Sequence, residues 1–337
     1  MSHVERTPMQ ALRRVILIPA TLALVAATGS LAAGCSRSGD DSSAPSSSVS
    51  SSGASSSSTT AAKHADGDAD QATVAADKAG RSWATAAAAT ITPGTQTYTE
   101  GAGQCTSNYV FTDDAGNVYL GQAAHCATTG KSDETNGCSA GSLPVGTAVT
   151  FNRQGSPMDH GATIGSGQLV YSSWPAMQQD GEKDQNVCAY NDFALIEIAD
   201  ADLAKVNPSL PYWGGPVGIN TGGTGNGDRV YSYGNSSLRG GIAGLSPQTG
   251  ESKADDPATG GWTHELASPT PGIPGDSGSA YLDHDGRALG TLSTLGVSLP
   301  IVNNVGDISR ELAYARAHSG IAGLRLVLGT EKFDANR

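Results

Sequence analysis

From about residue 88 onward the chain is a succession of short apolar or alternating runs, each closed by residues that turn the backbone. Residues 108–112, 118–121, 147–151, 168–172, 193–198, 229–233, 262–267, 279–282 and 288–292 are of strand length. Asp113-Asp114-Ala115-Gly116-Asn117 turns between the first pair, and Asp283-His284-Asp285-Gly286 between the last. Runs this short cannot bury an apolar face alone, so they must pair into sheets. Forty-four glycines and only 5% aromatic residues suit many strands and tight turns, and the pattern predicts an all-β sandwich or barrel. One helix is predicted near the end. Asp307 can cap it, Ile308, Leu312 and Ala315 share a face, and Gly320 stops it. A last strand is expected over 324–328.

The first third has another texture. Arg13 and Arg14 precede a mostly apolar run to Ala33, followed by Gly34 and Cys35. A charged start, an apolar middle and small residues at the end make an export signal over residues 1–34. Leu31-Ala32-Ala33-Gly34-Cys35 resembles a bacterial lipobox, in which the cysteine becomes the lipidated first residue. A simple cleaved signal and an uncleaved membrane helix are the alternatives, and the arginine pair partly resembles a twin-Arg signal. Residues 36–62 are Ser-rich and too polar to fold, so 35–87 is read as a lipid-anchored linker ahead of a domain over 88–337. Asp66, Asp68 and Asp70 have calcium-loop spacing, but Gln71 stands where that loop needs glycine, and an acidic linker is the better reading. The formal net charge of −12, with the signal itself basic, argues against nucleic acid or anionic lipid as a partner. The cysteines are Cys35, Cys105, Cys126, Cys138 and Cys188. With Cys35 lipidated, four remain for two disulfides in an oxidising compartment. No CxxC spacing occurs, and no metal or cofactor is expected.

Three segments carry chemistry. Residues 123–126 read Ala-Ala-His-Cys, 191–196 read Asn-Asp-Phe-Ala-Leu-Ile, and 275–279 read Gly-Asp-Ser-Gly-Ser. Singly, His125 could be a core histidine, Asp192 a strand cap and Ser277 part of a turn. Together, in the order His, Asp, Ser, they resemble the catalytic segments of the chymotrypsin-like serine proteases, of the exported bacterial type. The resemblance covers about residues 88–330.

It implies two antiparallel six-stranded β-barrels with a C-terminal helix, and a crevice between the barrels. His125 and Asp192 would come from the first barrel and Ser277 from the second. His125 would act as general base, Asp192 would orient it, and Ser277 would be the nucleophile. The backbone N–H groups of Gly275 and Ser277 would form the oxyanion hole, and Asp276 would brace the loop as a buried acid. The family's Ile-Val-Gly-Gly-type start, whose freed amine pairs with that acid in many members, is absent from this sequence. Cys105 and Cys126 match the pair that bridges the histidine loop, which leaves Cys138 and Cys188 for each other. Ser293 would support Asp192 and offer a strand edge to substrate backbone. Leu295 would narrow the specificity pocket, whose other wall, Pro271-Gly272-Ile273-Pro274, carries no acid. A small or medium apolar residue is then the expected preference. The long segment between His125 and Asp192 would add surface loops, and His160, His264, His284 and His318 are read as structural or solvated.

The expected function is a serine endopeptidase facing outside the membrane and held by lipid on Cys35, with a peptide or protein as substrate. A different serine hydrolase fits poorly, because position 279 is Ser where the α/β-hydrolase elbow needs Gly. A tethered binding module on an inactive protease fold is the other alternative.

Overall fold

The computed structural model describes residues 81–130, 135–296 and 302–337. Its strands are β1 (Gln96–Thr99), β2 (Gln104–Thr106), β3 (Val110–Thr112), β4 (Val118–Gln122), β5 (Ala148–Arg153), β6 (Ala162–Ser172), β7 (Ala194–Ile198), β8 (Asn226–Tyr233), β9 (Pro247–Lys253), β10 (Thr263–Ala267), β11 (Ala280–Leu282), β12 (Ala288–Gly296), β13 (Val302–Asp307) and β14 (Arg325–Leu326). Among the described residues three α-helices join them: α1 (Ser173–Asp180), α2 (Gln185–Tyr190) and α3 (Ile308–His318).

The strands form two antiparallel sheets. One closes as a six-stranded barrel in the order β10-β13-β12-β11-β8-β9. The other is a curled eight-stranded sheet, β14-β3-β4-β7-β6-β5-β1-β2, with β2 and the two-residue β14 at its edges. Strand β14 follows α3 and returns the chain to the first sheet, where Leu326 pairs with Phe111.

The burial explains why β3, β4 and β7 read as nearly continuous apolar runs. Val110, Val118, Leu120 and Ile196 fill the inner cluster of the curled sheet. Their neighbours Phe111, Tyr119 and Leu195 point the other way, into a second cluster with Tyr231 and Leu282 of the barrel and Ile308 and Leu312 of α3. Alternate residues of one strand therefore face two cores, so apolar residues occupy both faces, with the polar Thr112, Gln122 and Glu197 at or beside the strand ends. The barrel has its own cluster, including Val230, Leu266, Tyr281, Leu289 and Val305.

Differences from the sequence reading have local causes. The segment between His125 and Asp192 holds β5 and β6, and it also holds α1 and α2, where surface loops and no helix were expected. These helices have eight and six residues, too short to display a helical period. Asp184 caps α2 through the N–H groups of Asn186 and Val187. Trp174, Met177 and Val187 pack with Ala124 and Ala140, so this segment covers the turn that carries His125. Residues 81–87, assigned to the linker by composition, contact the fold: the Ala84 N–H donates to Val206 O at 3.0 Å, and the Asn207 amide donates to Ala84 O. Among the described residues no helix is long and apolar enough to cross a membrane. Cys35 and the whole signal segment lie outside the described residues.

Candidate active site

His125 sits on a 3₁₀ turn, Ala124–Ala127, directly after β4. Asp192 lies in the link from α2 to β7. Its carboxylate grips the histidine twice: Oδ2 lies 2.7 Å from His125 Nδ1, and Oδ1 accepts the His125 backbone N–H at 2.8 Å. This fixes the ring's position, and an Nδ1–H facing Asp192 leaves Nε2 as the free basic nitrogen. Ser293 Oγ donates a third bond to Asp192 Oδ2 at 2.6 Å. The register of β12 against β13 shifts between Leu292 and Thr294, a bulge that turns Ser293 out of the ladder and toward Asp192.

Burial alone would pull the His125 imidazole down. The Asp192 charge and hydrogen bond outweigh it, so the imidazole is raised. Burial alone would raise Asp192; the His125 charge and the bonds from His125 and Ser293 hold the carboxyl below its usual value. The two directions agree: the pair favours a protonated ring beside an ionised carboxylate.

Ser277 arrives from the barrel. Its carbonyl accepts the Thr106 N–H at 2.9 Å, which ties the 275–278 loop to β2 of the other sheet. Two glycines make this approach possible, with φ of 95° at Gly275 and 87° at Gly278. A Cβ at Gly275 would meet Gln104 Oε1 and Ser236 Oγ, and one at Gly278 would meet Thr106 O and Ala123 N. Among the described residues neither the Gly275 nor the Ser277 N–H donates to any protein group, whereas the intervening Asp276 N–H is used by Ile273 O at 2.8 Å. Asp276 is fully buried and braced by the Arg239 guanidinium, the Ser236 N–H at 2.9 Å and the Ile273 N–H at 3.0 Å.

His125, Asp192, Ser277 and Ser293 line one cavity of about 550 Å³ with Gln104, Trp174, Gly272, Ile273, Pro274, Gly275, Leu292, Thr294 and Asn303. Among the described residues His125 and Asp192 are its only ionisable side chains. Asn303 is fully buried, and its amide is committed on both sides: Oδ1 accepts the Gly272 N–H at 3.0 Å, and Nδ2 donates to Tyr281 Oη at 2.7 Å. Sequence reasoning missed Asn303 because Val-Asn-Asn-Val-Gly-Asp lacks the apolar alternation of a strand. Leu295 pairs with Asn303 through the backbone. Among the described residues, strand β12 beyond Leu292 pairs with β13 alone, which leaves one edge of residues 293–296 unpaired.

Both disulfides lie near the histidine. Cys105–Cys126 joins β2 to the His125 turn, and Cys138–Cys188 joins the 136–140 loop to α2. Cys105, Cys126 and His125 are close enough together to suggest a metal cluster, but both sulfurs are spent in the disulfide. Of the remaining histidines, His264 is buried and lies between two carboxylates, at 2.6 Å from Asp255 and 3.1 Å from Asp307. His160 stacks on Tyr98, His318 stacks on Tyr314 and pairs with Asp180, and His284 is exposed beside Asp285.

No protein-family profile and no curated protein sequence matches the chain. Solved structures similar to it include Thermobifida fusca protease A, 16% identical over 71% of this chain and 99% of that one, with a TM-score of 0.43. Nocardiopsis protease is 15% identical over 70% and 98%, with a TM-score of 0.42. The thermostable serine protease AL20 of an extremophilic microorganism is 17% identical over 68% and 98%, with a TM-score of 0.42. At identities and TM-scores this low, the reading of function rests on the geometry above.

Proposed function

We propose that the chain is a serine endopeptidase of the chymotrypsin type, working through Ser277, His125 and Asp192. The observation that carries the reading is the double grip of Asp192 on His125, in a cavity shared with Ser277 and two unspent N–H groups. Ser277 Oγ attacks the scissile carbonyl carbon while His125 Nε2 takes its proton. The carbonyl π pair moves onto oxygen, which the Gly275 and Ser277 N–H groups stabilise, each by about 3 kcal/mol. Collapse breaks the C–N bond, and His125 returns the proton to the departing amine. Water then repeats the cycle on the acyl-enzyme. Asp192 stays ionised and stabilises the imidazolium, as in the general account of this triad.

The cavity supports an uncharged residue on the acyl side of the cut bond. Among the described residues no acid or base lines the wall formed by Gly272, Ile273, Pro274 and Leu292, and the committed Asn303 amide offers little to a charged group. The open edge of residues 293–296 suits an extended substrate backbone. The chain is read as exported and tethered: signal over 1–34, lipid on Cys35, linker over 35–87, of which residues 81–87 pack on the domain, and catalytic domain over 88–337, with two disulfides consistent with an oxidising compartment.

A fluorophosphonate should label Ser277 covalently, and Ser277→Ala should lose peptide-amide cleavage by at least about 10⁴-fold with the fold intact. An unlabelled, well-folded protein would favour the alternative of a binding module on an inactive fold. Mass spectrometry of membrane-associated protein tests the anchor: an unmodified Cys35 would remove it. A panel of peptide anilides differing only at the acyl-side residue tests the pocket, with Ala, Val and Leu expected above Arg, Lys and Glu.

A further inference from the structure

We propose that Glu311 on α3 is a positioning residue for Asp192, holding the aspartate from behind while Ser293 and His125 hold it in front. The inference rests on the catalytic reading of Asp192 given above. Glu311 is fully buried, where an acidic side chain is rarely found without a task. Its Oε1 accepts the backbone N–H of Asp192 in a long hydrogen bond of 3.4 Å. Its Oε2 accepts the Thr291 hydroxyl at 2.8 Å, and the Asn108 amide donates to that same hydroxyl at 3.2 Å. Asn108 precedes β3 and Thr291 lies in β12, so one carboxyl links α3 to both sheets and to the catalytic aspartate.

The surroundings are shaped for it. A Cβ at Gly306 would run into Glu311 Oε1, so the glycine leaves the carboxyl its space. Helix α3 is set at its start by Asp307, whose side chain accepts the Arg310 N–H and faces His264. That cap fixes the rotation of the helix and hence the direction of Glu311, one turn further on.

The groups facing Glu311 are Asp192 from the α2–β7 link, Asp307 at the helix cap, Tyr109 beside β3 and Tyr171 from β6. Burial raises its carboxyl well above the usual range, and the negative charges of Asp192 and Asp307 push the same way. Both effects favour the uncharged form, which accepts the Asp192 N–H without placing a second negative charge beside Asp192. Position therefore counts and charge does not, and the amide of glutamine should serve as well.

The test compares Glu311→Gln and Glu311→Ala, with kcat counted per fluorophosphonate-titrated site. The glutamine variant should keep kcat within about threefold and leave the acid limb of the pH–rate profile in place. The alanine variant should lose kcat by about 10- to 100-fold at nearly unchanged KM, because a loosened Asp192 misorients the ring. Wild-type kcat per site in the alanine variant would overturn the proposal. So would a glutamine variant as impaired as alanine, or one whose acid limb moves, since either would show that an ionised Glu311 matters. Should alanine fail to fold, Thr291→Val removes the hydroxyl that holds Oε2 and should give a smaller loss in the same direction; wild-type kcat there would also count against the proposal. A second readout needs no activity and so separates this proposal from the catalytic reading. The downfield proton resonance of the His125–Asp192 hydrogen bond should persist in the glutamine variant and broaden or shift in the alanine variant. An unchanged resonance in alanine would overturn the positioning role even in a protein that cleaves nothing.

Discussion

His125 and Asp192 are fixed in the curled-sheet half beside two disulfides, Cys105–Cys126 and Cys138–Cys188. Ser277 is fixed in the barrel half, which relies on ion pairs instead: Asp276 with Arg239 next to the serine, and His264 between Asp255 and Asp307 elsewhere in the barrel. A disulfide is indifferent to pH and fails with reductant, whereas an ion pair ignores reductant and fails when a partner titrates or is removed. The two halves should therefore lose their parts of the cavity under different stresses.

The sharpest way to break the barrel side is Arg239→Met. It leaves Asp276 buried without its cation, and loss of one partner from a buried pair costs about 3–5 kcal/mol. Denaturant unfolding should show that loss, and labelling of Ser277 should slow as the loop loosens. An unchanged midpoint would mean that the backbone donors to Asp276 suffice. On the other side, Cys105→Ala with Cys126→Ala opens a 21-residue separation, with an expected loss of about 3 kcal/mol from chain entropy. Reductant should destabilise the parent protein and leave this variant closer to its own baseline; equal sensitivity would place the effect in Cys138–Cys188.

A third experiment sharpens the contrast through pH. Burial lowers His264, but its bonds to Asp255 and Asp307 and their charges lift it to about 9. A histidine raised above its unfolded value stabilises fully below about pH 6.5, and that contribution disappears as pH rises through about 9. His264→Gln should cost about 2–3 kcal/mol at pH 6 and little at pH 10. A pH-independent difference would show that packing, not charge, is what His264 supplies. The smallest expected effect is that of Ser293→Ala, which removes the bond between the barrel and Asp192. Hydrogen bonds to charged groups contribute about 1.5–3 kcal/mol, so kcat should fall about tenfold or somewhat more. An unchanged kcat would mean that His125 and its own backbone N–H hold Asp192 unaided.

What could be read from the sequence was local. The three motif segments are contiguous, the 283–286 turn spells itself out, and Asp307 announces the start of α3. What escaped reading depends on distant partners. Glu311 looks like any exposed helix acid until the fold places it behind Asp192. Arg239, in a Gly-rich loop, gives no hint of Asp276. His264 has no ligand spacing, because its carboxylates come from the β9–β10 link and the end of β13. Helices α1 and α2 fell below the length at which a period shows, and β13 was hidden by its paired asparagines, one of which lines the cavity.

The Arg239–Asp276 pair has a consequence for how the protein can be displayed. A loop braced by a freed terminal amine is tied to the processing history of the chain: it forms only after a cut, and only with that terminus tucked inside. Here the cation is a side chain thirty-seven positions upstream in the same half of the molecule. Among the described residues, the loop around Ser277 is therefore braced by a side chain and not by a terminal amine. A version whose leading segment is replaced by an unrelated carrier should expose the same loop without a maturation step.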